Sequence, residues 1–259
     1  VFKVLCHAKS MKEQGTGYRV QEILGRYALL MQDLDKKTAE VYERAPEIPC
    51  KNKCFDCCKQ LFPVSFAEAY FLSEGFKTLP RNIRRERSRS AEKIAERIRA
   101  RNPEQFAKSD VSKQEALSTH RAFAEFLHTI ETDCPALDPK NPAGACTVYD
   151  FRNHDCRTMG ASFDMGARSI VGCFRFNSLK YLAPKMMDFN YRYAEKMALD
   201  RELISAVTDG KFSKNIIYFT TMCGPLIKDY AAEDWSAFFE QRGAIKDPKE
   251  ETYCVVLDV

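Results

Sequence analysis

Four cysteines within nine residues constrain this chain more than any other feature of its sequence. Cys50, Cys54, Cys57 and Cys58 follow the spacing C-x3-C-x2-C-C. Packing has no use for thiols at this density, and a disulfide between adjacent Cys57 and Cys58 would be severely strained. Soft thiolates select zinc or iron-sulfur clusters over hard, oxygen-loving cations. The spacing therefore predicts a metal site. Because the side chains of adjacent Cys57 and Cys58 diverge, they would bond different irons of one cluster, or metals in two separate sites, more easily than a single zinc ion.

A second, looser group of cysteines follows about 80 residues later. Cys134, Cys146 and Cys156 are separated by 12 and 10 residues, and these gaps are wide for a zinc finger. A cluster can take its ligands from distant loops, so the two groups together favour a 4Fe-4S cluster. Zinc is the alternative, and a disulfide framework is a third.

The ordered set of motifs resembles the YkgJ-like family of zinc- or iron-chelating proteins. After C-x3-C-x2-C-C come Cys-Pro-x-Leu at 134–137, Cys-x-hydrophobic-Tyr at 146–149 and Cys-Arg at 156–157. The family usually has Arg-Pro where this chain has Arg152-Asn153. The resemblance covers residues 50–174 and implies metal ligation by Cys50, Cys54, Cys57, Cys58, Cys134, Cys146, Cys156 and Cys173.

The same resemblance implies an iron-sulfur oxidoreductase without a defined reaction. A related cysteine pattern occurs in flagellin lysine methylases, which adds a protein-modifying role to the expectations. Arg157 and Tyr149 are the candidate cofactor-binding residues, as an anion clamp and a hydrogen-bonding phenol, and His154 is a candidate proton carrier. Basic neighbours can offset the charge of four thiolates on a metal; they are Lys51, Lys53, Lys59, Arg152 and Arg157.

The composition is that of an ordinary globular chain. Of 259 residues, 45% are hydrophobic and 29% charged, and the net charge is +4, so no general affinity for nucleic acid is indicated. No apolar run approaches the roughly 20 residues of a membrane-spanning helix, and no membrane association is expected. No export segment is visible, and a thiol-rich chain of this kind suits the cytoplasm. The scattered Cys6, Cys223 and Cys254 are expected in the core.

The most basic stretch of the chain is residues 81–101. It holds nine Lys or Arg against three Glu, a local charge of 9 − 3 = +6. Apolar residues at helical spacing predict a surface helix with one buried face. An acidic protein partner could dock on its basic face, whereas nucleic acid is disfavoured because few aromatic residues interleave the cations.

Apolar periodicity predicts mainly helices. We expect helices over 18–44, from Ser65 to about Gly75 with Glu68 completing a capping box, and over 112–131. Helical periods also occur over 186–208, 214–230 and 232–241, and strands are predicted at 146–149 and 253–257. His120 and His128 on the 112–131 helix are expected to be structural. The predicted fold is a mainly α single domain, 1–259, in which helices frame an irregular cysteine-rich metal-binding lobe of residues 50–60 and 134–174, with minor β structure.

Two classes of function remain open from the sequence. One is metal-cluster binding, with redox or protein-modifying chemistry as its enzymatic version. The other is a non-catalytic zinc-stabilised interaction module. The chain has no Walker loop, Rossmann fingerprint, nucleophile elbow or His-Glu-x-x-His motif, so the common enzymes that carry them are disfavoured.

Overall fold

The structure is a computed structural model that describes residues 15–48, 50, 54–138, 140, 146–164, 169–170, 180–212, 216–244 and 252–259. Eight α-helices occur in these residues: α1 Thr16–Arg44, α2 Phe66–Lys77, α3 Arg81–Arg99, α4 Lys113–His128, α5 His154–Thr158, α6 Tyr193–Val207, α7 Gly224–Ile227 and α8 Trp235–Gln241. Short 3-10 turns lie at Asp56–Lys59, Pro103–Phe106, Tyr149–Phe151 and Lys180–Lys185. The predicted mainly α fold with minor β structure is confirmed.

The first three helices begin and end close to where the sequence predicts. One apolar face of α1 is buried along nearly its whole length, from Val20 to Val41. At the start of α2 the capping box is present, because Glu68 Oε2 accepts a hydrogen bond of 2.7 Å from the backbone N–H of Ser65. Helix α3 buries Ala91, Ile94, Ala95 and Ile98 and exposes most of its charges, as expected for a surface helix.

The strands form two small sheets. Strands β1 Pro63–Val64, β2 Lys108–Ser112, β6 Ile216–Thr221 and β7 Thr252–Asp258 make a four-stranded sheet in the order β1-β6-β7-β2. Its central pair, β6 and β7, is parallel, and both outer pairs are antiparallel. Strands β3 Ser162–Asp164, β4 Ser169–Ile170 and β5 Met187–Asp188 make the second sheet, in the order β4-β3-β5.

The helix predicted over 214–230 is wrong. Residues Ile216–Thr221 form strand β6, and all six are buried. A strand covered on both faces shows no alternation of apolar and polar residues, so its period cannot be told from that of a buried helix. The β-branched and aromatic composition of this run is the signal that favours a strand. The terminal strand predicted at 253–257 is confirmed as β7.

Three other elements also differ from prediction. The helix expected over 186–208 begins only at Tyr193, because Met187–Asp188 pair with β3 and Arg192 has a left-handed φ of 61°. The strand expected at 146–149 is a single bridge between Cys146 and Leu137, followed by the 3-10 turn Tyr149–Phe151. The helix expected over 112–131 ends at His128.

An aromatic cluster joins α2, α8 and the four-stranded sheet. The Phe66 ring meets Trp235 edge-on at 4.7 Å and Tyr218 at 5.1 Å between centroids. Cys223 and Cys254 are buried in the core, as predicted, and Cys6 lies outside the described residues. Among the helices that the structure describes, none combines the length and the apolar character needed to cross a bilayer.

Candidate metal centre

Five thiols from four separate segments lie close to one another, and we call Cys57, Cys58, Cys134, Cys146 and Cys156 the thiol centre. Each is partly buried and each is a free thiol. They are close enough to affect one another electrostatically: Cys134 and Cys156 raise the pKa of Cys58, and Cys57 raises the pKa of Cys146. The structure thus brings together cysteines from both sequence groups, across nearly 100 positions of chain.

Backbone hydrogen bonds fix three of the segments relative to one another. Cys57 and Cys58 lie on the 3-10 turn Asp56–Lys59. The N–H of Cys134 donates to the carbonyl of Cys58 at 2.5 Å, which ties the first cysteine group to the second. Thr147 N donates to Ala136 O at 2.9 Å, next to the bridge between Leu137 and Cys146. The loops that carry the thiols are therefore held by the fold itself.

Helix α5 supplies the last thiol, and Asn153 starts this helix. The Asn153 Oδ1 accepts from the N–H of Cys156 at 3.0 Å, an N-cap that satisfies one of the free donors of the first turn. This explains how the chain tolerates asparagine where the resembled family usually has proline. The φ of Asn153 is −69°, close to the angle that proline imposes. Asn153 therefore begins α5 at a backbone angle that proline also allows.

The adjacent thiols of Cys57 and Cys58 act on each other's ionisation: the pKa of Cys57 is lowered by Cys58 and by the charge of Arg152, and the pKa of Cys58 is raised by Cys57 and by burial. Their binding to different irons or to separate sites stays a prediction. Burial raises the pKa of Cys134, Cys146 and Cys156.

The donor chemistry of the thiol centre fits a soft metal or an iron-sulfur cluster. Buried thiols are poor thiolates on their own, and a bound cation offsets the penalty of ionising them. In the ranges that the structure describes, however, no three Cys, His, Asp or Glu side chains are arranged so that they could hold one metal ion. Cys173 lies outside the described residues, so the predicted eighth ligand is not part of this geometry.

The two remaining predicted ligands lie beside the thiol centre. Cys50 is near Tyr42 of α1, which is also near Cys57. The pKa of the Tyr42 hydroxyl is raised, mainly by burial and to a smaller extent by Cys50. Cys54 Sγ is 3.7 Å from the Asp56 carboxylate. Of the basic neighbours, Lys59 pairs with Asp56 at 3.5 Å, while Lys51 and Lys53 lie outside the described residues.

Arg157 is buried, and all three nitrogens of its guanidinium group interact with other residues of the protein. Nε donates to the carbonyl of Arg152 at 2.9 Å, Nη2 donates to that of Asp150 at 2.7 Å, and Nη1 pairs with the Asp35 carboxylate on α1. These bonds brace the loop before α5 against α1. Arg152 lies over the ring of exposed Tyr149, 3.5 Å from its centroid. Cofactor binding by Arg157 and Tyr149 stays a prediction.

His154 is fully buried, with ring nitrogens facing Asp155 Oδ1 at 3.3 Å and Tyr191 O at 3.4 Å. His120 stacks on Phe219 at 4.5 Å, and burial lowers its pKa to about 4. His128 packs edge-on against Phe62. The contacts of His120 and His128 are those of structural histidines, as predicted, and proton transfer by His154 stays a prediction.

A buried charge network behind α5 is the feature that the sequence analysis missed. Glu68 Oε1 accepts from the N–H of His154 at 2.8 Å, and Lys196 Nζ lies 3.5 Å from Glu68 Oε2. Asp200 Oδ1 accepts from Ser65 Oγ at 2.9 Å and from Ala67 N at 2.7 Å. A signal was present, because Lys196 and Asp200 fall on the same face of α6 as apolar Leu199 and Leu203.

Comparison with known proteins returns no match: no family model, no curated protein and no solved structure is similar to this chain. The likeness to the YkgJ-like family therefore depends on the order and spacing of the cysteine motifs.

Proposed function

We propose that this chain is an iron-sulfur protein whose cluster is ligated by cysteines of the thiol centre, within the predicted ligand set that also contains Cys50, Cys54 and Cys173. The gathering of five thiols from four segments carries the proposal. Thiolates are the usual ligands of such clusters, and ligands drawn from distant loops are common among them. Free thiols at this density persist in a reducing compartment, which is why we assign the protein to the cytoplasm.

The chain's own residues would hold and tune the cluster. Arg152 places positive charge beside Cys57 and Cys146 and favours their thiolate forms. Asn153 and Glu68 fix the start of α5 and so the position of Cys156. When bound, an iron-sulfur cluster supplies one-electron chemistry, and we propose redox or protein-modifying chemistry, of the kind implied by the cysteine pattern of lysine methylases.

A zinc-stabilised interaction module is the second candidate. The observation in its favour is the bracing of the thiol-bearing loops by backbone hydrogen bonds, such as those of Cys134 and Thr147. Closed structural zinc sites have such rigid surroundings and no open coordination position.

Metal and acid-labile sulfide analysis of protein purified without oxygen tests both candidates, together with a visible spectrum. We expect iron and sulfide in a ratio of about one to one, as in a four-iron cluster. Cys57→Ala should lose most of the bound iron. Cys254→Ala, which removes a buried core thiol from β7, should retain it.

Circular dichroism on the two variants separates ligand loss from unfolding. Stoichiometric zinc without sulfide or colour would reject the cluster and support the zinc module. Metal content and folding that are unchanged in Cys57→Ala would reject metal binding at the thiol centre altogether.

A further inference from the structure

Basic residues recur at every fourth position of α3, and we call Arg81, Arg85, Arg89, Lys93 and Arg97 the cation row. At 1.5 Å rise per residue the row extends for about 24 Å, with about 6 Å along the axis between neighbours. All five side chains are exposed. Each four-residue step also turns the row by about 40°, so the row is a continuous ridge of charge that winds about 160° around the helix from Arg81 to Arg97.

The members of the cation row are not neutralised by their surroundings. Within the described part of the chain, none of the five forms an ion pair with a carboxylate. Of the nearby carboxylates, Glu86 pairs with Arg87 and Lys140, and Asp229 pairs with Lys77. Glu92 and Glu96 of α3 are exposed beside the row and offset part of its charge. Like charges placed four apart repel each other, so the row costs stability and favours an anionic partner.

Three open grooves follow the cation row and lead to the thiol centre. The first, of about 480 Å³, lies between α3 and Leu226 of α7 and includes Arg85 and Arg89. The same two arginines line the second, of about 670 Å³, which continues to Lys93. Lys93 also lines the third, of about 450 Å³, whose far wall contains Cys134.

The third groove, next to the thiol centre, differs from the first two in having both apolar and thiol side chains in its lining. It is lined by Ile94 and Arg97 of α3 and, from a second segment, by Asp133, Cys134 and Leu137. Cys134 is one of the five thiols of the thiol centre. A ligand that lies along the cation row therefore brings its last residue, with room for an apolar side chain, next to the thiol centre.

We propose that the cation row is the docking track for an extended acidic polypeptide segment, whose end it presents to the thiol centre. Alternate side chains of an extended chain are about 6.6 Å apart, which is close to the 6 Å step of the row. A stretch of about nine residues with acidic side chains at every second position, followed by an apolar residue, matches the track in number of charges and in length along the helix axis. The docking is independent of the metal, whereas the role of this segment as substrate rests on the proposed function.

A single-stranded nucleic acid fits the track less well. Binding of this kind uses aromatic side chains on which successive bases stack. Phe76 is the only aromatic residue among those lining the three grooves, and it belongs to the groove farthest from the thiol centre.

Fluorescence anisotropy with a labelled peptide tests the docking. The probe alternates Glu and Ser over nine residues and ends in Leu, and the control peptide has Gln in place of Glu. We expect binding of the acidic probe only, weakened by added salt because the contacts are exposed. The double variant Arg89→Ala, Lys93→Ala should weaken binding about tenfold. The double variant Lys36→Ala, Arg201→Ala removes the same charge from exposed positions off the row and should change binding less than about twofold.

Two further measurements complete the test. A benzophenone at the Leu end of the probe should crosslink to residues 132–137, and a crosslink elsewhere would overturn the path to the thiol centre. A ten-nucleotide oligouridine that binds more tightly than the acidic peptide would overturn the assignment of partner. Equal effects of the two double variants would overturn the cation row as the site.

Failure of the proposed function has a different signature. Peptide binding that survives in metal-free Cys57→Ala protein supports the docking track by itself. Metal content that is unchanged in the Arg89→Ala, Lys93→Ala variant, together with lost peptide binding, assigns the loss to docking rather than to the thiol centre.

Discussion

Replacing Gly75 by alanine tests how the loop that precedes α5 is seated against α2. Gly75 lies in the last turns of α2, and the ring of Phe151 rests directly on it. A Cβ at this position would overlap three ring carbons of Phe151. The ring is also held by Phe71, 5.4 Å away between centroids. Relief of the overlap requires Phe151 to move, and the 3-10 turn Tyr149–Phe151 to move with it.

Two opposing effects set the magnitude. Alanine is better than glycine in a helix interior by up to about 1 kcal/mol. Forcing extra volume into a packed site costs about 1–3 kcal/mol. Because the overlap involves the inner atoms of a ring rather than the end of a flexible side chain, we expect the larger steric cost, and a net loss of about 1–2 kcal/mol in the free energy of unfolding.

Urea unfolding followed by circular dichroism measures this loss as a lower midpoint at unchanged slope. The matched control is Gly25→Ala in α1, where a Cβ would meet no atom within 4 Å. That variant should gain about 0.5–1 kcal/mol. Combining Gly75→Ala with Phe151→Leu should recover part of the loss. If Gly75→Ala is as stable as Gly25→Ala, Phe151 does not rest on α2 and the seating of the loop is wrong.

The buried charges behind α5 support two further predictions. Lys196→Met should lower the free energy of unfolding in urea by about 3–5 kcal/mol, because it leaves Glu68 and Asp200 buried without their cation. Adding Glu68→Gln should restore part of this stability. A loss below about 1 kcal/mol in Lys196→Met would contradict the pairing. Burial raises the pKa of Asp200 to about 6 in the folded protein, so between about pH 4 and pH 6 the folded state holds a proton that the unfolded state releases. The contribution of this group to the free energy of unfolding is about 3 kcal/mol at most. It is present below about pH 4 and is lost as the pH rises to about 6. Asp200→Asn should flatten the stability profile over that interval, and an unchanged slope would refute the shift.

The sequence by itself determined the first helices of the chain and the type of ligand that the candidate site offers. Apolar periodicity located α1 and α3, and the Ser65 and Glu68 capping box located the start of α2, because these signals depend on residues within a few positions of each other. The C-x3-C-x2-C-C spacing was enough to predict a soft-metal site, since ligand type is a property of the side chains alone.

Only the tertiary structure decided what depends on residues far apart in the chain. The Ile216–Thr221 run became a strand because it pairs with β7, whose partners lie 38 positions away. Cys134 meets Cys58 through a backbone hydrogen bond, and His154 meets Glu68 across 86 positions. Long-range contacts such as these follow from packing the whole core rather than from any local pattern, which is why periodicity could not reveal the thiol centre or the network around Lys196.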